Sequence, residues 1–147
     1  MPLVPGYELA ESFRESYPNA VTCADEYQIW VEPSGVGQYL QHLKGPDGYG
    51  FDYLSAITAV DYIEYFEVIY HLRSIASNQT AVVKTRLYDR ESPSVDSVTF
   101  LWRGAELQER EIWDLMGIRF DGHPNLKRIM LWEGFPGHPH RKDHMGG

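Results

Sequence analysis

The sequence holds one cysteine, Cys23, in 147 residues. A single thiol excludes an internal disulfide and any zinc or iron–sulfur site built on cysteines. It fits a reducing compartment. Long apolar runs are missing as well: none approaches the roughly 20 residues that span a bilayer. The N-terminal stretch Met1-Pro2-Leu3-Val4-Pro5-Gly6 lacks the basic-then-apolar layout of a signal peptide. Positive charge is scarce, with 13 Lys and Arg against 21 Asp and Glu, a formal charge of −8. That balance disfavours a general nucleic-acid or anionic-membrane role, although local basic pairs can still meet an acidic partner. Gly35-Val36-Gly37 is followed by no further glycine in register, so no phosphate-cradling loop is present. A Gly-x-Ser-x-Gly elbow and a Cys–His nucleophile context are also absent. Nucleotide binding and nucleophilic catalysis have no support here.

What is present reads as one globular domain. The chain is long enough to bury a core, and 43% apolar and 14% aromatic residues argue against disorder. Leu9, Phe13 and Tyr17 follow helical spacing, predicting a helix over Tyr7 to Ser16. Ala20 to Cys23 and Tyr27 to Glu32 read as a hairpin, with Ile29 and Val31 on one face. Pro33-Ser34 is expected to cap a helix over Val36 to Lys44, which Gly45-Pro46 stops. Three strands follow. Phe51 to Tyr62 carries apolar residues in both phases, predicting cover on both faces. Tyr65 to Ile75 alternates cleanly: Phe66, Val68, Tyr70 and Leu72 point one way, Glu67, His71 and Arg73 the other. Ala81 to Tyr88 completes an antiparallel meander with helices on one face.

The character changes after Ser92-Pro93-Ser94. Val95 to Trp102 fits an edge strand or an extended arm. Gly104 to Met116 reads as an acidic helix ending at Gly117 in a left-handed cap. Beyond it, proline and glycine predict no regular element longer than a turn, and removing this arm is expected to leave the domain folded. The fold class is therefore α+β: an antiparallel sheet with helices on one face, then a short acidic helix and an extended irregular C-terminal arm. The division falls at 1–102 and 103–147, one structural domain with an extension that docks on a partner.

That extension holds the candidate site. Phe120-Asp121-Gly122-His123-Pro124 is echoed by Phe135-Pro136-Gly137-His138-Pro139, and a basic pair follows each copy: Lys127-Arg128, then Arg141-Lys142. Glu109 and Glu111 flank Arg110, yet positions two apart on a helix point in different directions, so the two carboxylates suit pairing more than shared acid–base work. His123, His138, His140 and His144 lie close in sequence, but their spacing matches no helix-borne metal pair. A free-standing enzyme using the His-rich tail for a metal stands as the alternative of another class. Trp102, Trp113, Trp132, Phe120 and Phe135 sit among Arg and Lys, the composition of buried protein–protein contacts. Some of these aromatics close the domain's own core, Trp113 among them. Buried cations need carboxylates, so the tail's four cations, Arg128 above all, are expected to meet Glu109, Glu111 and Asp114 or acids of a partner.

These residues also carry a resemblance. Glu109-Arg110-Glu111, Asp114, His123-Pro124, Lys127-Arg128-Ile129 and Gly137-x-Pro139-x-Arg141-Lys142-Asp143 are similar to a motif of respiratory complex I, the NADH:quinone oxidoreductase. The motif belongs to the family of its thirty-kilodalton, C-type subunit. Thr58-Ala59-Val60-Asp61-Tyr62, Phe66-Glu67-Val68-x-Tyr70 and Pro93-Ser94-Val95 extend the resemblance upstream. It implies a non-catalytic peripheral-arm subunit with no cofactor in this chain, FMN, iron–sulfur clusters and quinone being held by partner subunits. It implies docking on the D-type, quinone-site subunit and on neighbouring peripheral-arm subunits, on the cytoplasmic side of the membrane, with no span of its own. The expected interface is Glu109, Arg110, Glu111, Asp114, His123, Pro124, Lys127, Arg128, Trp132, Pro139, Arg141, Lys142 and Asp143. The same module occurs in membrane-bound hydrogenases and ferredoxin-linked complexes.

Overall fold

Strand β4 (Phe66–Ser74) runs through a five-stranded sheet between β3 (Tyr53–Asp61) and β5 (Gln79–Leu87). The chain is described here by a computed structural model covering residues 2–128 and 136–143; Trp132, Phe135 and His144 lie outside the described residues. Phe66, Val68, Tyr70 and Leu72 are all buried on one face, as an uncharged period-two row requires. On the other face Arg73 is exposed and His71 half-buried, but Glu67 is buried too. Its carboxylate accepts from Trp30 Nε1 at 3.0 Å and Arg86 Nε at 3.2 Å, with Lys84 Nζ 3.6 Å away. Charge-assisted bonds of this kind let an acid sit among aromatics.

The N-terminal hairpin, β1 (Val21–Ala24) and β2 (Ile29–Val31), extends the sheet in the order β1-β2-β5-β4-β3. β3, β4 and β5 form the expected antiparallel meander, but β2 joins β5 in parallel, with Ile29 opposite Val83. Where β2 leaves the sheet, the buried Thr85 hydroxyl donates to the Val31 carbonyl at 2.8 Å, satisfying an acceptor the ladder abandons. Helices α1 (Gly6–Phe13) and α2 (Val36–Lys44) contribute Leu9, Phe13, Val36, Leu40 and Leu43 to the core shared with Ile29, Val31, Val68 and Val83.

Several expectations are corrected. Neither Pro33 nor Ser34 caps α2, whose N-cap position is Gly35 with no side-chain bond. The Asp96 carboxylate, 59 residues on, accepts from the Gly37 N–H at 3.2 Å instead. An acid there also complements the helix dipole. β3 is not covered on both faces: it is an edge strand, bulged between Leu54 and Ala56, with Tyr53, Ser55 and Thr58 exposed. The bulge changes phase, so Leu54 and Ile57 both reach the core and the apolar residues need no second cover. Val95 to Trp102 is neither a long strand nor an arm; β6 (Ser94–Asp96) is followed by turns.

Helix α3 (Ala105–Met116) ends on Gly117 at φ 75°, as its sequence predicts. The next residues do form a regular element: β7 (Arg119–Asp121) pairs in parallel with β6. Ala105, Ile112, Met116, Ile118 and Phe120 all belong to the single core cluster. Cutting the chain after Gly117 therefore removes two buried core side chains, Ile118 and Phe120, and among the described residues beyond Asp121 none belongs to that cluster.

Candidate docking surface on helix α3 and the C-terminal segment

Glu109, Arg110 and Glu111 leave α3 in three directions, the consequence of 100° per residue. Glu109 points inward and is fully buried. Its Oε1 accepts from the Ser97 hydroxyl at 2.6 Å and its Oε2 from the Val98 N–H at 2.8 Å, clamping the turn after β6 to the helix. Burial raises its pKa from 4.5 to about 7, against the lowering effect of those two bonds. Arg110 turns to the tail, donating from Nε to the Lys127 carbonyl at 3.1 Å and from an Nη to that of Arg128 at 3.3 Å. Glu111 is exposed.

The sign of the Glu109 effect follows from that raised value. A group titrating higher folded than unfolded favours folding in full below the unfolded pKa, and the advantage is lost as pH rises through the folded one. Stability is expected to fall by about 3 kcal/mol between pH 4.5 and 7 on this account alone. Glu109→Gln keeps both hydrogen bonds, with its amide donating to Ser97 Oγ. It should flatten that slope and leave the chain more stable than wild type at pH 8. Urea titrations at several pH values read it directly; parallel pH profiles for the two chains would refute it.

The segment beyond β7 returns along α3. The Asn125 N–H donates to His123 Nδ1 at 2.9 Å, so Nε2 carries the proton and donates to the Glu106 carbonyl at 2.9 Å. Arg128 faces buried Asp114 across 3.5 Å and donates to the Gly137 carbonyl at 2.6 Å. His138 donates from Nδ1 to the Asp114 carbonyl at 2.9 Å, its ring against Trp113 at 5.0 Å between centres. Trp113, expected in the core, is half-buried and serves as this contact instead. Gly117 is demanded twice: by its positive φ, and because a Cβ there would sit 2.7 Å from His138 Cδ2. The His140 N–H then donates to the Leu115 carbonyl at 2.8 Å, closing the run along the helix end.

The last described residues end on a charge network that sequence reasoning missed. Asp61, at the end of β3, is 4% exposed and receives both Nη groups of Arg90 at 2.7 and 2.9 Å. It also accepts from the Ile63 N–H at 2.7 Å and the Lys142 N–H at 2.8 Å. The Arg90 pair, ahead of those backbone donors, holds the Asp61 carboxyl well below the usual carboxylate range. Asp143 bridges Arg90 and Arg141, and Arg141 donates to the Arg90 carbonyl at 2.8 Å. Both guanidinium groups lie over the Phe66 ring, at 4.4 and 5.0 Å from its centre.

Of the sequence-predicted residues, Glu109, Arg110, Asp114, His123, Arg128, Arg141 and Asp143 are thus engaged within the chain. Pro124, Lys127 and Lys142 are exposed and Pro139 half-buried. Trp132 lies outside the described residues. Of the acids expected to receive the tail's cations, Asp114 faces Arg128; Arg141 turns to Asp143 and to the Arg90 carbonyl. Asp61, Arg141 and Asp143 belong to the motifs that carry the resemblance, but Arg90 and the pairing among the four had no signal in the sequence.

The fold and this surface define a small α+β module whose C-terminal segment is latched along its own helix and sheet edge. The chain belongs to the family of the respiratory-chain NADH dehydrogenase 30 Kd subunit, whose family model matches residues 29–147. It is 42% identical over 135 residues to the second C-type subunit of the NADH-quinone oxidoreductase of Rhizobium meliloti (strain 1021), covering 90% of this chain and 73% of that one. It is 51% identical over 96 residues to the C-type subunit of the NADH-quinone oxidoreductase of Moorella thermoacetica, covering 64% of each. The chain thus spans about two thirds to three quarters of these relatives' length. Among solved structures it is similar to a chain of the membrane-bound sulfane sulfur reductase, an archaeal respiratory membrane complex. That likeness has a TM-score of 0.70 and 30% identity, over 93% of this chain and 84% of that one.

Proposed function

We propose that this chain is a peripheral-arm subunit of a proton-translocating NADH:quinone oxidoreductase. It docks on the D-type, quinone-site subunit and neighbouring subunits at the cytoplasmic face of the membrane, and supports electron transfer to quinone without chemistry of its own. FMN, iron–sulfur clusters and quinone then belong to the partner subunits. The observation that carries this reading is family membership over 29–147, which takes in the whole latched surface. Among the described residues, no helix is long and apolar enough to cross a membrane. The alternative of an equivalent subunit in a membrane-bound hydrogenase or ferredoxin-linked complex draws support from the likeness to a sulfane sulfur reductase chain.

The free-standing metal enzyme is disfavoured by geometry at His123. One ring nitrogen there accepts from a backbone N–H and the other donates to a carbonyl, so neither nitrogen is open to a metal. Purifying the tagged chain from its native membranes tests all three readings. Co-purified NADH-oxidising and quinone-site subunits are expected, with no stoichiometric zinc or iron in the isolated chain. Hydrogenase-type partners would establish the alternative complex. One equivalent of tightly held metal, lost on His123→Ala, would overturn both subunit readings.

A further inference from the structure

The outer edge of β3 is covered by α3 at Ile57 and flanked by the returning C-terminal segment at Asp61, with Ala59 open between them. Ile57 donates its N–H to Gln108 Oε1 of α3 at 2.6 Å, so its backbone polar groups face away from β4. The β3–β4 register runs without a break from Ala56 to Asp61. In an antiparallel ladder that orientation recurs every second residue, so the N–H and C=O of Ala59 also face outward. At the far end, the Asp61 side-chain carboxylate binds Arg90 and the Lys142 N–H, which sets the returning segment beside the strand end. Among the described residues nothing bonds the Ala59 N–H.

Protein folds normally blunt such an edge with a charge, a proline or a cover. Here the opening leads instead into an apolar groove between β3 and α3. Cavities of about 230 and 400 Å³ meet at Ala59, Met116 and His140, and Ile57, Ile112 and Leu115 line the first. Glu111, exposed on its rim, makes no ion pair among the described residues. An unpaired donor and acceptor beside an apolar floor call for an extended backbone more than for a helix, whose own groups are already paired. Asp61 and Lys142 line the second cavity, where Asp61 is already taken by Arg90; at the first, exposed Glu111 calls for a cation beside the apolar side chain.

We propose that the opening at Ala59 takes an extended strand from a partner subunit, which adds to the sheet at β3, sets one apolar side chain on the α3 floor and places a basic one beside Glu111. The proposal rests on the reading of this chain as a subunit of a membrane complex, and names how part of that assembly is held.

Proline at position 59 removes the outward donor without touching a β4 hydrogen bond, and edge positions tolerate it. Ala59→Pro, and lactic acid at position 59 as an amide-to-ester replacement free of ring strain, should both leave the isolated chain folded by circular dichroism. Both should lower recovery of the tagged complex roughly tenfold, the size of one buried backbone hydrogen bond. In the wild-type complex, benzoylphenylalanine at position 58 should crosslink to a partner segment with an apolar residue next to a basic one. Full recovery with the ester, or a crosslink to a helix or to a second copy of this chain, would overturn the proposal and leave the subunit reading standing. A wild-type chain that recovers no complex would overturn that reading itself.

Discussion

A chain carrying Val68→Asp is expected not to fold. Val68 is fully buried in the middle of β4, between Phe66 and Tyr70 along the strand and opposite Ala59 and Thr85 across it. A carboxylate there has no cation within the apolar row, unlike Glu67 on the other face with Trp30, Lys84 and Arg86 around it. Leaving a charge unpaired in such a place costs several kcal/mol, a large share of the roughly 5–15 kcal/mol that holds a domain of this size. Val68→Ala is the control. It removes two methyl groups, costs about 1–3 kcal/mol, and should stay folded with a lowered melting temperature. Soluble yield, far-UV circular dichroism and the melting transition separate the two variants. A cooperative melt from Val68→Asp would mean that the β4 row does not form the core.

Asp61→Ala is the second large effect. One buried carboxylate here joins Arg90, the turn at Ile63 and the returning backbone at Lys142. Removing it leaves a guanidinium only 22% exposed with the more exposed Asp143 as its one remaining acid among the described residues. Breaking a buried pair costs about 3–5 kcal/mol, and the partial exposure of Arg90 places this one near the lower figure. The contribution has a definite pH dependence. A carboxyl held below its ordinary value of 3.8 stabilises the fold in full above that pH, and the gain is lost as pH falls from there through the folded value. The gap between wild type and variant should therefore be constant near neutrality and shrink in acid. Hydrogen exchange should also show the amides of His140 and Lys142, which donate to Leu115 and Asp61, losing protection while β4 keeps its own. Unchanged protection at those two amides would show that Asp61 does not hold the segment.

The residues behind these two effects differ in how far the sequence reveals them. The β4 row could be read directly, because alternation is a local signal and Phe66, Val68, Tyr70 and Leu72 carry no charge. The end of α3 at Gly117 was equally plain, since a helix closing in the left-handed region selects glycine. Asp61 and Arg90 lie 29 residues apart, and nothing local in either residue specifies the other. The parallel joining of β2 to β5 and the capping of α2 by Asp96 failed to show for the same reason.

The candidate site divides along the same line. The residue types of the Glu-Arg-Glu stretch, the Gly-His-Pro repeats and the basic pairs mark a charged, ordered segment, and the sequence alone determined that and the family to which it belongs. Helical rotation then separates Glu109 from Glu111, which their spacing already required. Which carboxylate is buried, and which cation meets which acid, was decided only by tertiary structure. Packing set Glu109 beneath Ser97 and Val98, returned Arg128 to Asp114, and brought Arg141 and Asp143 to Arg90 at the end of β3. Local composition controls which groups a segment offers; pairing depends on desolvation and distance across the fold, and those exist only once the chain has closed on itself.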